Sequence, residues 1–186
     1  MGLGNPGAEF AGSLHNAGAD AVEAVAARAG VSLRPQKGVP ARIGQARIGE
    51  SAVGLAIPNT FMNDSGLAVR ALVKRFGIAE PDQVLIVHDE LDLAPGTVRL
   101  TSGGGLAGHN GLRSIASHLH STDFRRVRIG VGKPPSAAEG AAHVLARPSK
   151  AGREQLAASV QTAAEAVERI ATDGFERAMA WCHSLP

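Results

Sequence analysis

The stretch QVLIVHDELDL, residues 83–93, is the part of the sequence that best indicates the fold. Residues 83–88 have the pattern of a buried strand, because the run Val84–Val87 is apolar on both faces, as in a sheet covered on both sides. Helical patterns lie before and after this strand, at 65–76 and 110–119. Alternating strands and helices predict an α/β fold. We expect a single domain over residues 1–186, with a mixed, mostly parallel β-sheet and helices on both faces.

The rest of the chain continues this alternation. Alternating patterns at 42–48 and 52–57, on either side of the turn Gly49-Glu50-Ser51, predict a β-hairpin that stops at Pro58. The segment at about 132–148 has little regular pattern, and we expect it to act as a lid. Further helices are predicted at 19–29, at 150–172 and in a short segment ending near His183, and further strands at 97–101 and 126–131.

The composition of this 186-residue chain excludes several classes of protein. An apolar fraction of 44% and a charged fraction of 19% are those of a folded globular chain rather than a disordered one. No run approaches the ~18 apolar residues of a membrane span, and the residues after Met1 lack the pattern of a secretory signal. The single cysteine, Cys182, excludes internal disulfides and cysteine-rich zinc sites. These features together predict a cytoplasmic location.

Charge is distributed unevenly along the chain. Residues 99–153 hold nine Lys or Arg side chains and two acidic ones, Asp123 and Glu139, which is a net charge of +7. The rest of the chain holds ten basic and fifteen acidic residues, a net charge of −5. Such asymmetry favours one face that meets a polyanion such as a nucleic acid. A basic surface that simply faces solvent is the alternative.

The motif GLGNPG, residues 2–7, formally satisfies the glycine spacing of dinucleotide-binding loops. Such a site needs a strand before the motif and a helix that begins inside it. No strand precedes the motif here, and the next helix begins only at about residue 17. Three interpretations stay open: a plain tight turn, a cofactor loop, or a loop that presents Asn5 and His15 to another ligand.

Polar side chains are concentrated at a few predicted ends of strands and starts of helices. His15 precedes a helix and has the side chain best suited to act as a base near neutral pH. The segments 60–66 (TFMNDSG) and 88–92 (HDELD) each follow a strand, and 103–111 (GGGLAGHNG) leads into a helix whose first N–H groups favour anions. Helix caps and exposed turns would explain the same residues. No metal-ligand spacing, nucleophile elbow or nucleoside-triphosphate loop is present.

Taken together, these motifs resemble the bacterial peptidyl-tRNA hydrolase family. The resemblance covers nearly the whole chain, and the ordered set is far more specific than any single motif. It rests on GLGNPG (2–7), HN (15–16), TFMN-x-SG (60–66), HDELDL (88–93), GGG-x-x-GHNG (103–111) and RIGVG (128–132).

The resemblance implies a monomeric α/β enzyme without a cofactor or metal. It implies hydrolysis of the ester between a peptide and tRNA, so that both are recycled in translation. It also implies roles for three catalytic residues. His15 resembles the general base that activates water, Asp89 the carboxylate that orients it, and Asn5 an amide that holds the developing oxyanion.

The same resemblance implies a set of substrate contacts. Asn63 resembles a second amide that holds the peptide, and Arg128 a residue that contacts phosphate within the basic segment 99–153. The expected contacts with the acylated end of tRNA are Phe10, Phe61, Met62, His109 and Asn110. We expect His15 to lie within hydrogen-bond reach of Asp89, with Asn5 and Asn63 lining the same cleft.

The chain departs from the family pattern at several positions. Phe10 stands where relatives usually have Tyr, and Thr101 stands where they commonly have Lys. The segment 180–183 (AWCH) replaces a usual Asn-Arg-x-His pattern, and the chain begins where relatives have already run a short strand into GLGNPG. We therefore expect a truncated or abbreviated first strand. A non-catalytic RNA-binding relative and a nucleotide-dependent oxidoreductase are the alternative functions.

Overall fold

Helices and strands alternate along the chain in the computed structural model, which describes residues 1–134 and 136–185. The helices are α1 (Ala17–Arg28), α2 (Ser65–Phe76), α3 (Asn110–Leu119), α4 (Gly140–Leu145), α5 (Lys150–Asp173) and α6 (Phe175–Ser184). The strands are β1 (Arg34–Gln36), β2 (Val39–Ile48), β3 (Ser51–Pro58), β4 (Leu85–Glu90), β5 (Val98–Ser102) and β6 (Arg125–Gly130).

The strands form two three-stranded sheets that the first residues of the chain connect. One sheet has the order β1-β2-β3 and the other the order β4-β6-β5. The Gly2 N–H donates to the Ala56 carbonyl of β3 at 3.0 Å, and the Leu3 N–H donates to the Val87 carbonyl of β4 at 2.9 Å. Residues 1–3 therefore take the place of a short strand between the two sheets.

The sheet is mixed, as predicted, but the prediction that it is mostly parallel is wrong. Among the described strands, parallel pairing is confined to β4 with β6 and to a bridge between Gly2 and Val87. The two-residue connection Gly49-Glu50 makes β2 and β3 an antiparallel hairpin, because so short a link cannot join parallel strands. The outer strands β1 and β5 also run antiparallel to their neighbours.

Helices cover both faces of the sheet, which confirms the predicted α/β class. On one face, α1, α5 and α6 bury Val87, Val127 and Ile129. On the other face, α2 and α3 bury Ile86 together with Phe124. The apolar run of β4 is thus divided between two hydrophobic layers, as expected for a strand covered on both sides.

The structure corrects three local expectations. Strand β1 has no alternating apolar pattern, since all its residues are exposed, and the sequence analysis missed it. Residues 81–83 form a 3₁₀ turn with a capping box between Glu80 and Gln83, so β4 begins two residues later than predicted. The segment 132–148 contains helix α4, although its lid function stays a prediction and Pro135 lies outside the described residues. Within the described residues, none of the helices combines the length and apolarity that a membrane crossing requires.

Candidate active site

The glycines of the N-terminal motif let the chain pack closely against α1 and β4. The Ala19 N–H, in the first turn of α1, donates to the Leu3 carbonyl at 2.8 Å. A Cβ atom on Gly2 would lie less than 3 Å from the backbone of Gly18, and one on Gly18 less than 3 Å from that of Val87. The motif is therefore a packing junction. This arrangement does not favour a dinucleotide site, because a donor at the start of α1 already binds the chain itself.

This junction brings His15 to Asp89. His15 lies in a 3₁₀ turn, Leu14–Asn16, directly before α1, and Asp89 lies near the end of β4. The His15 Nδ1 atom is 2.9 Å from Oδ1 and 3.0 Å from Oδ2 of Asp89, which confirms the expected contact. An ionised carboxylate only accepts, so Nδ1 carries a proton and donates to Asp89, and Nε2 is the ring nitrogen that Asp89 leaves free.

A second imidazole, that of His109, also contacts Asp89. Its Nε2 atom is 3.2 Å from Asp89 Oδ1, and its Nδ1 atom accepts from the Leu112 N–H at 3.3 Å as the N-cap of α3. Because Nδ1 accepts, Nε2 must carry the proton and donate to Asp89. Burial raises the pKa of Asp89, but the hydrogen bonds from His109 and His15 outweigh it and hold that pKa well below its usual range.

His88, next to Asp89 in the chain, contacts both Asp89 and His109 from within the core. Its side chain is fully buried, and its Nδ1 donates to the Asp89 carbonyl at 2.6 Å. Its ring meets that of His109 edge to face, with 5.0 Å between centroids. Burial lowers the pKa of His88 to about 3, so this imidazole is neutral at physiological pH.

The amide of Asn5 is held in a defined orientation. Its Oδ1 atom accepts from the Met62 N–H at 2.7 Å, which leaves Nδ2 as the donor that can reach a ligand. Asn63 follows Met62 in a 3₁₀ turn, and its side chain is exposed. Met62 is only 4% exposed and packs in the core with Leu3, so its main observed role is to support this turn.

Phe10 and Phe61 form an aromatic pair at the surface. Their rings meet edge to face, with centroids 6.2 Å apart; Phe61 is 55% exposed and Phe10 is half-buried. The structure thus brings together two positions that the family resemblance assigns to the acylated tRNA end.

A cleft of about 600 Å³ opens beside the three polar side chains. His15, Asp89 and His109 line it, together with Asn110 and Arg113. In the described part of the chain, Asn5 and Asn63 are not among the residues that line this cleft, so their sharing of one cleft with His15 and Asp89 stays a prediction. Asn5 lines a separate depression of about 320 Å³.

Several side chains of the basic segment are engaged within the protein. Arg126 is 3% exposed, and its guanidinium donates to the carbonyls of Gly103 and of Gly105 in the glycine-rich loop. Arg128 Nε donates to Glu90 Oε2 at 3.1 Å. The sequence analysis missed the role of Arg126, because helix α3 separates its strand from the glycine-rich loop along the chain. Two further ion pairs of the segment are Arg125–Asp82 and Lys133–Asp92.

The side chains of His15, Asp89 and His109 are also of types that bind metals. One ligand atom from each lies within 4.8 Å of the others. However, the Leu112 N–H on His109 Nδ1 keeps the proton on Nε2, which is the atom that would have to bind the metal. The hydrogen bonds of this cluster therefore favour an imidazole–carboxylate arrangement over a metal site.

An α/β fold that holds an imidazole against a buried carboxylate, beside an open cleft, is typical of hydrolytic enzymes. Comparison with known proteins makes this class specific. The family model for peptidyl-tRNA hydrolase matches residues 1–185. The chain belongs to the peptidyl-tRNA hydrolase family.

Individual relatives match over nearly their full lengths. A peptidyl-tRNA hydrolase of Cutibacterium acnes is 43% identical over 190 residues, which cover 96% of this chain and 94% of the relative. One of Dichelobacter nodosus is 43% identical over 185 residues, covering 100% and 97%. The crystal structure of peptidyl-tRNA hydrolase from Acinetobacter baumannii superposes with a TM-score of 0.93 at 38% identity, covering 98% of this chain and 92% of that one.

Proposed function

We propose that this protein hydrolyses the ester bond that joins a peptide to tRNA, and that His15 is its general base. Family membership supports the reaction and substrate class. The observation that carries the catalytic assignment is the contact of His15 Nδ1 with both oxygens of Asp89, at 2.9 and 3.0 Å. Because that contact engages Nδ1, Nε2 is the nitrogen of this cleft-lining side chain that can act as the base.

In the proposed mechanism, Nε2 of His15 removes a proton from water as the oxygen attacks the ester carbonyl. The imidazolium that forms is stabilised by Asp89, which stays ionised because His109 also donates to it. The tetrahedral intermediate then collapses, the ribose oxygen leaves, and His15 returns its proton to that oxygen. A positioned base is worth roughly 10²–10⁴-fold in rate, and an amide that binds the oxyanion roughly 10²–10³-fold. The ester is already an activated substrate.

We assign the oxyanion and peptide contacts to the amides of Asn5 and Asn63. The Asn5 Nδ2 group is the donor that its bond with Met62 leaves available. Asn63 is exposed on the turn that begins with Met62. Both amides therefore present hydrogen-bond donors from one small region.

Recognition of the tRNA end is proposed to use the aromatic pair and the start of α3. The exposed ring of Phe61, paired with the half-buried ring of Phe10, offers a surface on which a base or an apolar side chain can pack. Asn110, the first residue of α3, and Arg113 line the cleft with polar and cationic groups. We assign a phosphate contact to Arg128. A monomeric state, a cytoplasmic location and the absence of a cofactor belong to the same proposal.

The test compares the intact protein with His15→Ala on N-acetyl-aminoacyl-tRNA and on unblocked aminoacyl-tRNA. We expect the parent to cleave the blocked substrate and His15→Ala to be slower by roughly 10²–10⁴-fold. His120→Asn is the matched control, because His120 is exposed and has the positive φ that Asn tolerates. A parent protein that binds tRNA without cleaving it would instead be a non-catalytic RNA-binding relative. An undiminished rate in His15→Ala would refute the assignment of the base.

A further inference from the structure

Asn16, the residue that follows His15, makes a two-point contact with the backbone of Asn5. Its Oδ1 atom accepts from the Asn5 N–H at 2.9 Å, and its Nδ2 group donates to the Asn5 carbonyl at 3.1 Å. Asn16 is only 9% exposed, so these bonds are shielded from water. The side chain of Asn16 thus pairs with residue 5 as a neighbouring strand would.

This contact completes the fixation of Asn5. With Asn16 on its backbone and the Met62 N–H on its Oδ1, Asn5 is held at three points. In the described part of the chain, no group accepts a hydrogen bond from Asn5 Nδ2. The direction of that donor is therefore determined by contacts from two other segments of the chain.

The local packing explains why the side chain at position 16 is an asparagine. An ideal Cβ atom on Gly4 would lie 3.1 Å from Asn16 Cγ and 3.2 Å from its Oδ1, so the two segments are closely fitted. Aspartate at position 16 could still accept from the Asn5 N–H but could not donate to its carbonyl. Alanine could do neither, and it would leave both buried groups of Asn5 without a partner.

We propose that Asn16 is a positioning residue that sets the Asn5 amide donor relative to the His15 imidazole. Residues 15 and 16 are adjacent, so one rigid turn carries the base on one side chain and holds the oxyanion donor with the next. This inference rests on the proposed function. It adds a residue that acts through Asn5 without touching substrate.

The experiment measures kcat and KM on N-acetyl-aminoacyl-tRNA for Asn16→Ala, Asn16→Asp, Asn5→Ala and the double variant Asn5→Ala/Asn16→Ala. Displacing a catalytic group by about an ångström costs up to roughly 10²-fold. We therefore expect Asn16→Ala to lower kcat by about 10- to 100-fold with little change in KM, and Asn16→Asp to lose less. Asn59→Ala is the control, since Asn59 is an exposed asparagine that lines the same depression as Asn5.

The double variant distinguishes positioning from a general structural role. If Asn16 acts through Asn5, the double variant is no slower than Asn5→Ala alone, because the group being positioned is already absent. The pH dependence of kcat/KM stays that of the parent, since the His15–Asp89 pair is untouched. A full additional loss in the double variant, a shifted pH profile, or normal kcat in Asn16→Ala would overturn the inference.

Two further outcomes also decide the matter. Should neither variant at position 16 fold, the inference is overturned, because it assigns Asn16 a role in an otherwise folded protein. If the parent cleaves substrate and His15→Ala does not, but Asn16→Ala is normal, the inference fails while the proposed function stands. If the parent protein cleaves no substrate, both the proposed function and the inference about Asn16 are refuted.

Discussion

Asp89 connects three imidazoles through hydrogen bonds. His15 and His109 donate to its carboxylate, and His88 donates to its carbonyl. Because Asp89 accepts two N–H donors, it is a weak base and does not take the proton of His15 during turnover. Its effect in the proposed reaction is therefore electrostatic: it fixes the tautomer of His15 and stabilises the imidazolium.

The buried histidine gives the protein a pH-dependent stability. The pKa of His88 falls to about 3 in the folded state, against an ordinary value of 6.5, because its ring is fully buried. As the pH falls below 6.5, His88 therefore becomes protonated in the unfolded chain while it stays neutral in the folded protein. Between pH 6.5 and about pH 3, each unit of decrease in pH therefore lowers the free energy of unfolding by up to about 1.4 kcal/mol through His88.

His88→Asn tests this expectation, because asparagine keeps a donor for the Asp89 carbonyl but does not titrate. Urea unfolding at several pH values between 7 and 4 should give a shallower pH dependence for His88→Asn than for the parent. His120→Asn removes an exposed imidazole instead, so the difference in pH dependence between the two variants measures the contribution of the buried His88 imidazole. Equal slopes for the parent and His88→Asn would show that His88 is not the group responsible.

Among the secondary-structure elements, the contact of residues 1–5 with α1 and β4 determines where the site is built. Gly2 and Gly18 allow the backbones of the N-terminal segment, α1 and β4 to approach more closely than side chains would permit. The chain before α1 then presents His15 and Asn16, while the N-terminal segment presents Asn5 beside them. A small displacement here would move the base and the amide donor together.

Gly18→Ala is expected to destabilise the protein, although alanine is intrinsically the better helix former. Its Cβ atom would lie less than 3 Å from Val87 carbonyl atoms and the Leu3 nitrogen, and overpacking of this kind costs roughly 1–3 kcal/mol or more. Gly140→Ala is the matched control in a helix, because its Cβ atom would meet nothing within 4 Å. That control should be neutral or gain up to about 1 kcal/mol. Denaturant unfolding of both variants measures the difference, and equal stabilities would contradict the close contact.

For the molecule as a whole, much of the basic segment 99–153 serves the protein itself. Arg126 is buried against the glycine-rich loop, and Arg128 pairs with Glu90, which is 3% exposed. Arg147 is exposed and donates to the Ala8 carbonyl, so it connects the end of the 132–148 segment to the loop before His15. The buried Arg126 is consequently not available to tRNA, and the expected basic face stays a prediction.

Binding of tRNA should therefore weaken with salt in proportion to a limited number of phosphate contacts. Each phosphate engaged contributes about −0.7 to −0.9 to the slope of log K against log salt. We expect Arg128→Gln to reduce the magnitude of that slope by about one phosphate, while glutamine still donates to Glu90. Arg28→Gln, at an exposed pair with Glu168 on the opposite helical layer, should leave the slope unchanged. Titrations with tRNA at several salt concentrations would exclude the Arg128 contact if both variants kept the parental slope.

The sequence by itself determined the features that depend on neighbours along the chain. Helix and strand periodicity located most elements, including the hairpin at Gly49-Glu50 and the buried strand β4. The family resemblance predicted the contact between His15 and Asp89, which the structure confirms. Strand β1 was not predicted, because its exposed residues show no apolar periodicity. The prediction of a mostly parallel sheet was wrong, because strand direction depends on how the chain returns to the sheet.

Only the tertiary structure decided which side chains share a hydrogen bond across distant segments. His15 and Asp89 are 74 residues apart, and Arg126 and Gly105 are 21 apart. The tautomer of His109, the buried role of Arg126 and the two-point contact of Asn16 with Asn5 all depend on directions in space. Local periodicity reports which face of an element is buried, but it carries no information on where a donor points or which acceptor it meets.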